Sequence, residues 1–169
     1  MTAIPDVDTL TNRMVTALAT EVPNHSGEHP LMVGIHTGGA WIAERLHGAL
    51  GLDTPLGTLD ISFYRDDFSR KGMHPEVQPS RLPLSIEDRT VILVDDVLYT
   101  GRTVRAALNE LFDYGRPAAV RLAVLVDRDG RELPIAADVA GTSVRLAGNE
   151  RVALEGPQPL TLDISKRAS

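Results

Sequence analysis

The sequence predicts an α/β domain built on a parallel sheet, and three observations carry that expectation. Apolar runs of strand type occupy 31–35, 90–94 and 118–126, and 56–64 looks like a further strand. Segments with helical spacing separate several of them, at 40–50 and from about 99 to 114. Glycine and small polar residues stand where these strands end, at His36-Thr37-Gly38-Gly39 and Thr100-Gly101. Strands that are apolar throughout belong to sheets covered on both faces, and strand–helix alternation supplies parallel crossovers.

The elements follow in order. Residues 6–22 place Val7, Leu10, Met14, Val15, Leu18 and Val22 at helical spacing, with Asp6 or Asp8 as the cap. Residues 23–30 read as a loop. The first strand runs to Ile35, and the helix at 40–50 is closed by Gly51. The second strand draws on Leu56, Leu59, Ile61 and Phe63. Residues 65–87 are polar, contain Pro75, Pro79 and Pro83 and show no period. A loop of that length inside a compact domain is usually functional or mobile. The helix opening near Tyr99 carries Val104, Ala107, Leu108, Leu111 and Phe112 on one face and stops at Gly115-Arg116-Pro117. Beyond Glu132, apolar runs near 133–139, 152–154 and 160–164 predict short strands or edges.

Composition bounds the function. At 169 residues, 43% hydrophobic and 24% charged, the chain fits one globular domain with a real core, neither disordered nor fibrous. No apolar run reaches the roughly 18 residues of a membrane span. The first ten residues carry Asp6 and Asp8 and no basic residue, unlike a secretory signal. Asn24-His25-Ser26 matches a glycosylation sequon, and without such a signal it reads as a polar loop. There is no cysteine, which removes disulfides, thiolate metal sites and thiol nucleophiles and accords with the expected cytoplasmic location. The net charge of −6 disfavours a general affinity for nucleic acid, although Arg128, Arg131, Arg145 and Arg151 cluster in the last third.

The chemistry concentrates in Val91-Ile-Leu-Val-Asp-Asp-Val-Leu-Tyr-Thr-Gly-Arg-Thr103. A buried aliphatic strand leads to two adjacent carboxylates, Asp95 and Asp96, and then turns into a helix. Amides at a helix start are unpaired and lie at the positive end of its dipole. Gly101 permits close approach of the backbone, and Thr100 and Thr103 add hydroxyls. These features suit a phosphate dianion. The acids suit neutral hydroxyls nearby, and a 5-phosphorylated ribose with a vicinal diol satisfies both. A buried strand with one capping acid would explain one aspartate but not two, because buried charge is costly without partners. Neither a G-x-x-x-x-G-K-[ST] loop nor a G-x-G-x-x-G fingerprint occurs.

Val-Asp-Asp-Val-Leu-Tyr-Thr-Gly-Arg-Thr resembles the binding motif for phosphoribosyl pyrophosphate (PRPP) of type I phosphoribosyltransferases. With Asp60-Ile-Ser-Phe-Tyr-Arg-Asp-Asp67, Gly115-Arg-Pro117, Leu122-Ala-Val-Leu-Val-Asp-Arg128 and Arg131-Glu-Leu-Pro-Ile135, the chain resembles the PyrR family. Members are pyrimidine-operon regulators that are also uracil phosphoribosyltransferases. The resemblance implies a type I phosphoribosyltransferase fold: a central, mostly parallel sheet flanked by helices. A small hood would come from the N- and C-terminal segments and a mobile lid from about 64–83. Asp95 and Asp96 would hold the ribose hydroxyls, with Mg2+ carried indirectly through pyrophosphate, and Arg65 would act from the lid. Thr100, Gly101, Arg102 and Thr103 would hold the 5-phosphate, and His36, Thr37, Gly38 and Gly39 the pyrophosphate. Asp127 and Arg128 would stand by the base. Substrates and product would be PRPP, uracil and UMP, and the assembly a homodimer or homotetramer.

The sequence departs from the family in three places. His36-Thr37-Gly38-Gly39 stands where Lys-Thr-Arg-Gly is usual, so fixed positive charge is lost. Asp127-Arg128-Asp129-Gly130-Arg131 lacks the family's histidine and adds an acid. Among first-helix residues used with RNA, Thr16 matches, but Ala17 and Thr20 replace Arg and His; Gly141–Arg145 replaces Lys-Asn-Ile-Pro-Thr. Uracil phosphoribosyl transfer is therefore expected ahead of RNA-mediated attenuation, with a pyrimidine leader RNA bound weakly or not at all. The alternatives are an RNA-binding attenuator with vestigial catalysis and a phosphoribosyltransferase for another base.

Overall fold

The computed structural model describes residues 3–21, 28–61 and 80–167. Helix α1 (Val7–Glu21) starts where Asp6 accepts the Thr9 N–H at 2.8 Å, so Asp6 is the cap and Asp8 instead pairs with Arg45. Strand β1 (Leu31–Ile35) is buried throughout and leads into α2 (Gly38–Leu50), which Gly51 ends in the left-handed conformation, φ 61°.

Strand β2 (Gly57–Leu59) is shorter than the apolar pattern suggested. Thr58 exchanges two backbone bonds of 2.8 Å with Arg81, and the Asp60 N–H turns to Ser80 Oγ, so the chain leaves the ladder there. Residues 62–64 of the expected strand lie outside the described part.

Strand β3 (Thr90–Leu98) runs four residues beyond its expected end at Val94 and takes the acid pair with it. Helix α3 (Arg102–Asp113) begins after a turn at 99–101, and β4 (Ala119–Arg128) continues past Val126. Strand β5 is Val139–Val144, so of the apolar run at 133–139 only the last residue is in a strand. Pro134 has no N–H for a ladder, the Ile135 N–H bonds back to the Leu133 carbonyl at 2.8 Å, and the apolar side chains cover the turn at Gly101. Strands β6 (Glu150–Glu155) and β7 (Thr161–Lys166) form an antiparallel ribbon.

The main sheet has the order β2-β1-β3-β4-β5, and every pairing in it is parallel. Its two faces are covered by different helices. Ile92 and Val94 point to the side where α1 (Leu10, Met14, Leu18) and α2 (Ile42, Leu46) pack. Val91 and Leu93 point to the side covered by Val104, Ala107 and Leu111 of α3. Each of the valine, leucine, isoleucine and methionine side chains among these, fully buried, contributes roughly 1.5–3 kcal/mol. Of the segments expected as a hood, the C-terminal one folds as the β6–β7 ribbon, while α1 lies against the sheet. Parallel strands all end on one edge, and that is where open α/β sheets bind ligands.

Candidate active site

The acid pair lies within β3, in register with β4: Asp95 is opposite Val124, and Leu98 is opposite Asp127. Asp95 is buried, at 3% exposure, so its carboxylate requires hydrogen bonds. The Asp96 N–H donates to Asp95 Oδ1 at 2.8 Å, and the Val97 N–H donates to Asp96 Oδ1 at 2.8 Å. Each acid is thus oriented by the amide that follows it.

The turn after β1 forms the second part. The His36 N–H donates to the Leu59 carbonyl at 2.9 Å, and the His36–Thr37 peptide is cis. Thr37 is the N-terminal cap residue of α2 and makes no side-chain capping bond. Gly38 and Gly39 press on the acids. A β-carbon on Gly38 would overlap Asp96 Oδ2 and lie 2.8 Å from its Cγ; on Gly39 it would lie 2.5 Å from the Val94 carbonyl oxygen. The absence of a side chain at position 38 therefore leaves this space to Asp96.

The third part is the turn into α3. Gly101 caps the helix at φ 94°, a conformation that favours glycine. The Arg102 N–H is held by Thr100 Oγ1 at 3.1 Å, and the first helical bond runs from the Arg105 N–H to the Gly101 carbonyl at 3.0 Å. The Thr103 and Val104 amides have no carbonyl within the helix to meet them, which leaves an anion-binding end beside the acid pair. The guanidinium of Arg102 pairs with Glu132 at 2.8 Å on an exposed surface, and its backbone N–H belongs to this end. Gly101 also has a second reason to be glycine: Ile135 packs 3.1 Å from where its β-carbon would be.

The fourth part follows β4. Arg131 Nη2 pairs with Asp127 Oδ1 at 2.7 Å. Arg128 is 4% exposed, lies 4.0 Å over the Tyr99 ring and donates to the Glu150 carbonyl at 3.0 Å, tying the ribbon to the turn. Asp129 accepts the Leu146 N–H at 3.0 Å. Asp127, Arg128, Asp129, Arg131, Ser143, Val144 and Arg145 line an open depression of about 270 Å³ at the ends of β4 and β5.

Among the described residues no group of three or more acids or histidines could hold a metal ion by itself. Two carboxylates that each keep one oxygen on a backbone amide suit a hard cation carried mainly by ligand and water oxygens, as Mg2+ usually is.

The phosphoribosyl transferase domain family matches residues 6–153. A Nitrosococcus oceani protein named "Bifunctional protein PyrR" is 59% identical over 161 residues, covering 94% of this chain and 91% of its own length. This chain belongs to the PyrR family of phosphoribosyltransferases. A Pseudomonas paraeruginosa protein of the same name is 55% identical, covering 95% of both chains. A purine phosphoribosyltransferase from Pyrococcus horikoshii superposes with a TM-score of 0.60 at 26% identity, over 83% of this chain and 82% of that one.

In this PyrR-family chain the sheet edge collects Asp95, Asp96, the turns 36–39 and 100–103, and Asp127 with Arg128. Arg65 and residues 64–79 of the expected lid lie outside the described residues. Where the chain resumes, Ser80 Oγ accepts the Asp60 N–H at 3.0 Å and donates to Glu110 at 2.5 Å. The sequence assigns Tyr99 and Arg131 no individual role. A basic residue four positions after Asp127, across a turn containing Gly130, was the available signal for Arg131. No helix among the described residues is long and apolar enough to cross a membrane.

Proposed function

We propose that this chain transfers the phosphoribosyl group of PRPP to uracil, giving UMP and diphosphate, for pyrimidine salvage with a link to regulation of pyrimidine genes. The observation that carries this reading is the apposition of Gly38 and Gly39 to the acid pair, beside the open amide end of α3. Asp95 and Asp96 accept hydrogen bonds from the ribose hydroxyls, the 100–103 turn holds the 5-phosphate, and the 36–39 turn faces the diphosphate. The bond from C1 of ribose to the diphosphate oxygen breaks, and a bond from C1 to N1 of uracil forms as N1 loses its proton. Positive charge grows on the sugar and negative charge on the leaving group, so fixed dipoles and carboxylates at those places lower the barrier. Mg2+ supplies charge neutralisation of the diphosphate when bound.

In the same proposal Asp127, Arg128 and the adjoining depression serve the base, the ribbon serves as the hood, and 64–83 with Arg65 serves as the lid of a single domain. A homodimer or homotetramer in the cytoplasm completes it; exposed Phe112 and Tyr114 leave apolar surface for a second copy. The test is UMP formation with purified protein, PRPP and Mg2+, with hypoxanthine, guanine and orotate in competition. UMP from uracil alone supports the reading, and transfer to another base instead replaces it.

The second reading, RNA-mediated attenuation, is favoured by the word "bifunctional" in the relatives' names. Ala17, Thr20 and the net charge of −6 weigh against it. Filter binding of a pyrimidine leader RNA at low and moderate salt decides it: tight, UMP-enhanced binding reverses the order of the two readings.

A further inference from the structure

We propose that Arg131 is a positioning residue that joins the sugar-phosphate turn to the base-side acid, so that both substrate limbs are held in one geometry by one guanidinium. This rests on the reading that the edge binds PRPP and uracil. Arg131 is partly buried and reaches three acceptors on two stretches of chain, the bend at Tyr99 and the end of β4. Nη2 donates to Asp127 Oδ1 at 2.7 Å, while Nη1 donates to the Tyr99 carbonyl at 2.5 Å and to the Arg128 carbonyl at 3.4 Å.

The surroundings give this bridge its consequence. Leu98 is the last residue of β3 and is paired with Asp127, so Tyr99 leaves the sheet beside that acid. Residues 130–133 wrap the departing turn. The Glu132 and Leu133 N–H groups both donate to the Thr100 carbonyl, at 2.9 and 3.1 Å, and Gly130 is packed so closely on the Tyr99 ring that a β-carbon there would lie 3.0 Å from Cδ1. Those contacts fix the Thr100 carbonyl and the Tyr99 ring. Arg131 adds the link from the Tyr99 carbonyl to the Asp127 carboxylate. Its planar fork serves a carboxylate and a carbonyl at once, which a lysine ammonium does with poorer geometry. Removing it leaves a part-buried acid and a carbonyl without this donor and frees the 99–103 turn relative to Asp127.

The test compares wild type, Arg131→Gln and Arg131→Lys by steady-state kinetics and by amide hydrogen exchange of the unliganded proteins. In Arg131→Gln the KM values for PRPP and for uracil are both expected to rise about tenfold while kcat changes by less than about threefold, as for lost positioning that does not touch the reacting atoms. Exchange at 99–103 is expected to accelerate, with exchange in β1 unchanged. Arg131→Lys keeps a charge beside Asp127, so the KM for uracil should return toward wild type while that for PRPP stays raised. The inference is overturned if exchange at 99–103 is unaltered, if both KM values stay at wild type, or if kcat alone falls. Equal rescue of both KM values by lysine overturns the bridging role. A wild-type protein that forms no UMP refutes the reaction reading, and the exchange comparison then decides the role of Arg131 alone.

Discussion

Gly38 stands against Asp96 with no room for a side chain, its missing β-carbon falling 2.8 Å from the carboxylate carbon and 3.1 Å from Cβ. Gly38→Ala should turn Asp96 out of place while the fold persists. The KM for PRPP is expected to rise about tenfold or more, since small misplacements at a reacting centre carry such costs. Gly48→Ala is the control, because nothing lies within 4 Å of its β-carbon position and it sits inside α2. That change should leave activity intact and stabilise the protein by about 0.5–1 kcal/mol in urea unfolding.

Asp95→Asn combined with Asp96→Asn keeps shape and retains an oxygen to accept the Asp96 and Val97 amides. Turnover is expected to fall about a hundredfold or more, the scale of removing a preorganised electrostatic group. The far-ultraviolet dichroism should match wild type. Unchanged kcat/KM would remove the acids from the chemistry.

At Gly101, backbone and packing act together. Alanine there is expected to cost about 1–2 kcal/mol, from the left-handed conformation. Gly101→Val adds a collision with Ile135, and PRPP binding should vanish from calorimetric titration. A second change, Ile135→Ala, removes the Cγ1 contact but keeps the Cβ at 3.2 Å, so it should recover only part of the loss and leave the backbone cost.

Acid pH tests the cap of α1. Bonds from the Thr9 backbone and side chain hold the Asp6 carboxyl below the usual carboxylate range. The folded protein therefore binds this proton less readily than the unfolded chain. The stabilisation is present above the unfolded value and is lost as pH falls through the folded one. Asp6→Asn keeps the capping oxygen and should flatten that part of the melting profile between neutral and acid pH, whereas Asp6→Ala should lower melting temperature chiefly at neutral pH.

Much of this arrangement was legible in the residues. The apolar runs gave β1, β3 and β4 because strands buried on both faces need no alternation, and Gly51 marked the end of α2. Asp95, Asp96 and the Thr100–Thr103 turn stood out because acids and glycine at a strand end conflict with a simple core. Contacts between distant segments were not legible. Leu133 and Ile135 read as a strand because hydrophobicity does not reveal whether a side chain pairs in a ladder or covers a glycine. The resemblance placed Arg128 by the base, but its stacking on Tyr99 and bond to Glu150 depend on how the ribbon folds back. The length of β3 was missed because a pair of charges reads as a strand's end, whereas here the amides that follow each acid keep them inside it.

Because the acids ride on the middle strand of the main sheet, with β1 on one side and β4 on the other, they are expected to open as slowly as the core itself. The bend just past Leu98 has no such neighbours in the ladder. Warming should therefore loosen the phosphate end first and leave the carboxylates standing, so that affinity for the sugar ester decays well below the temperature at which the protein melts.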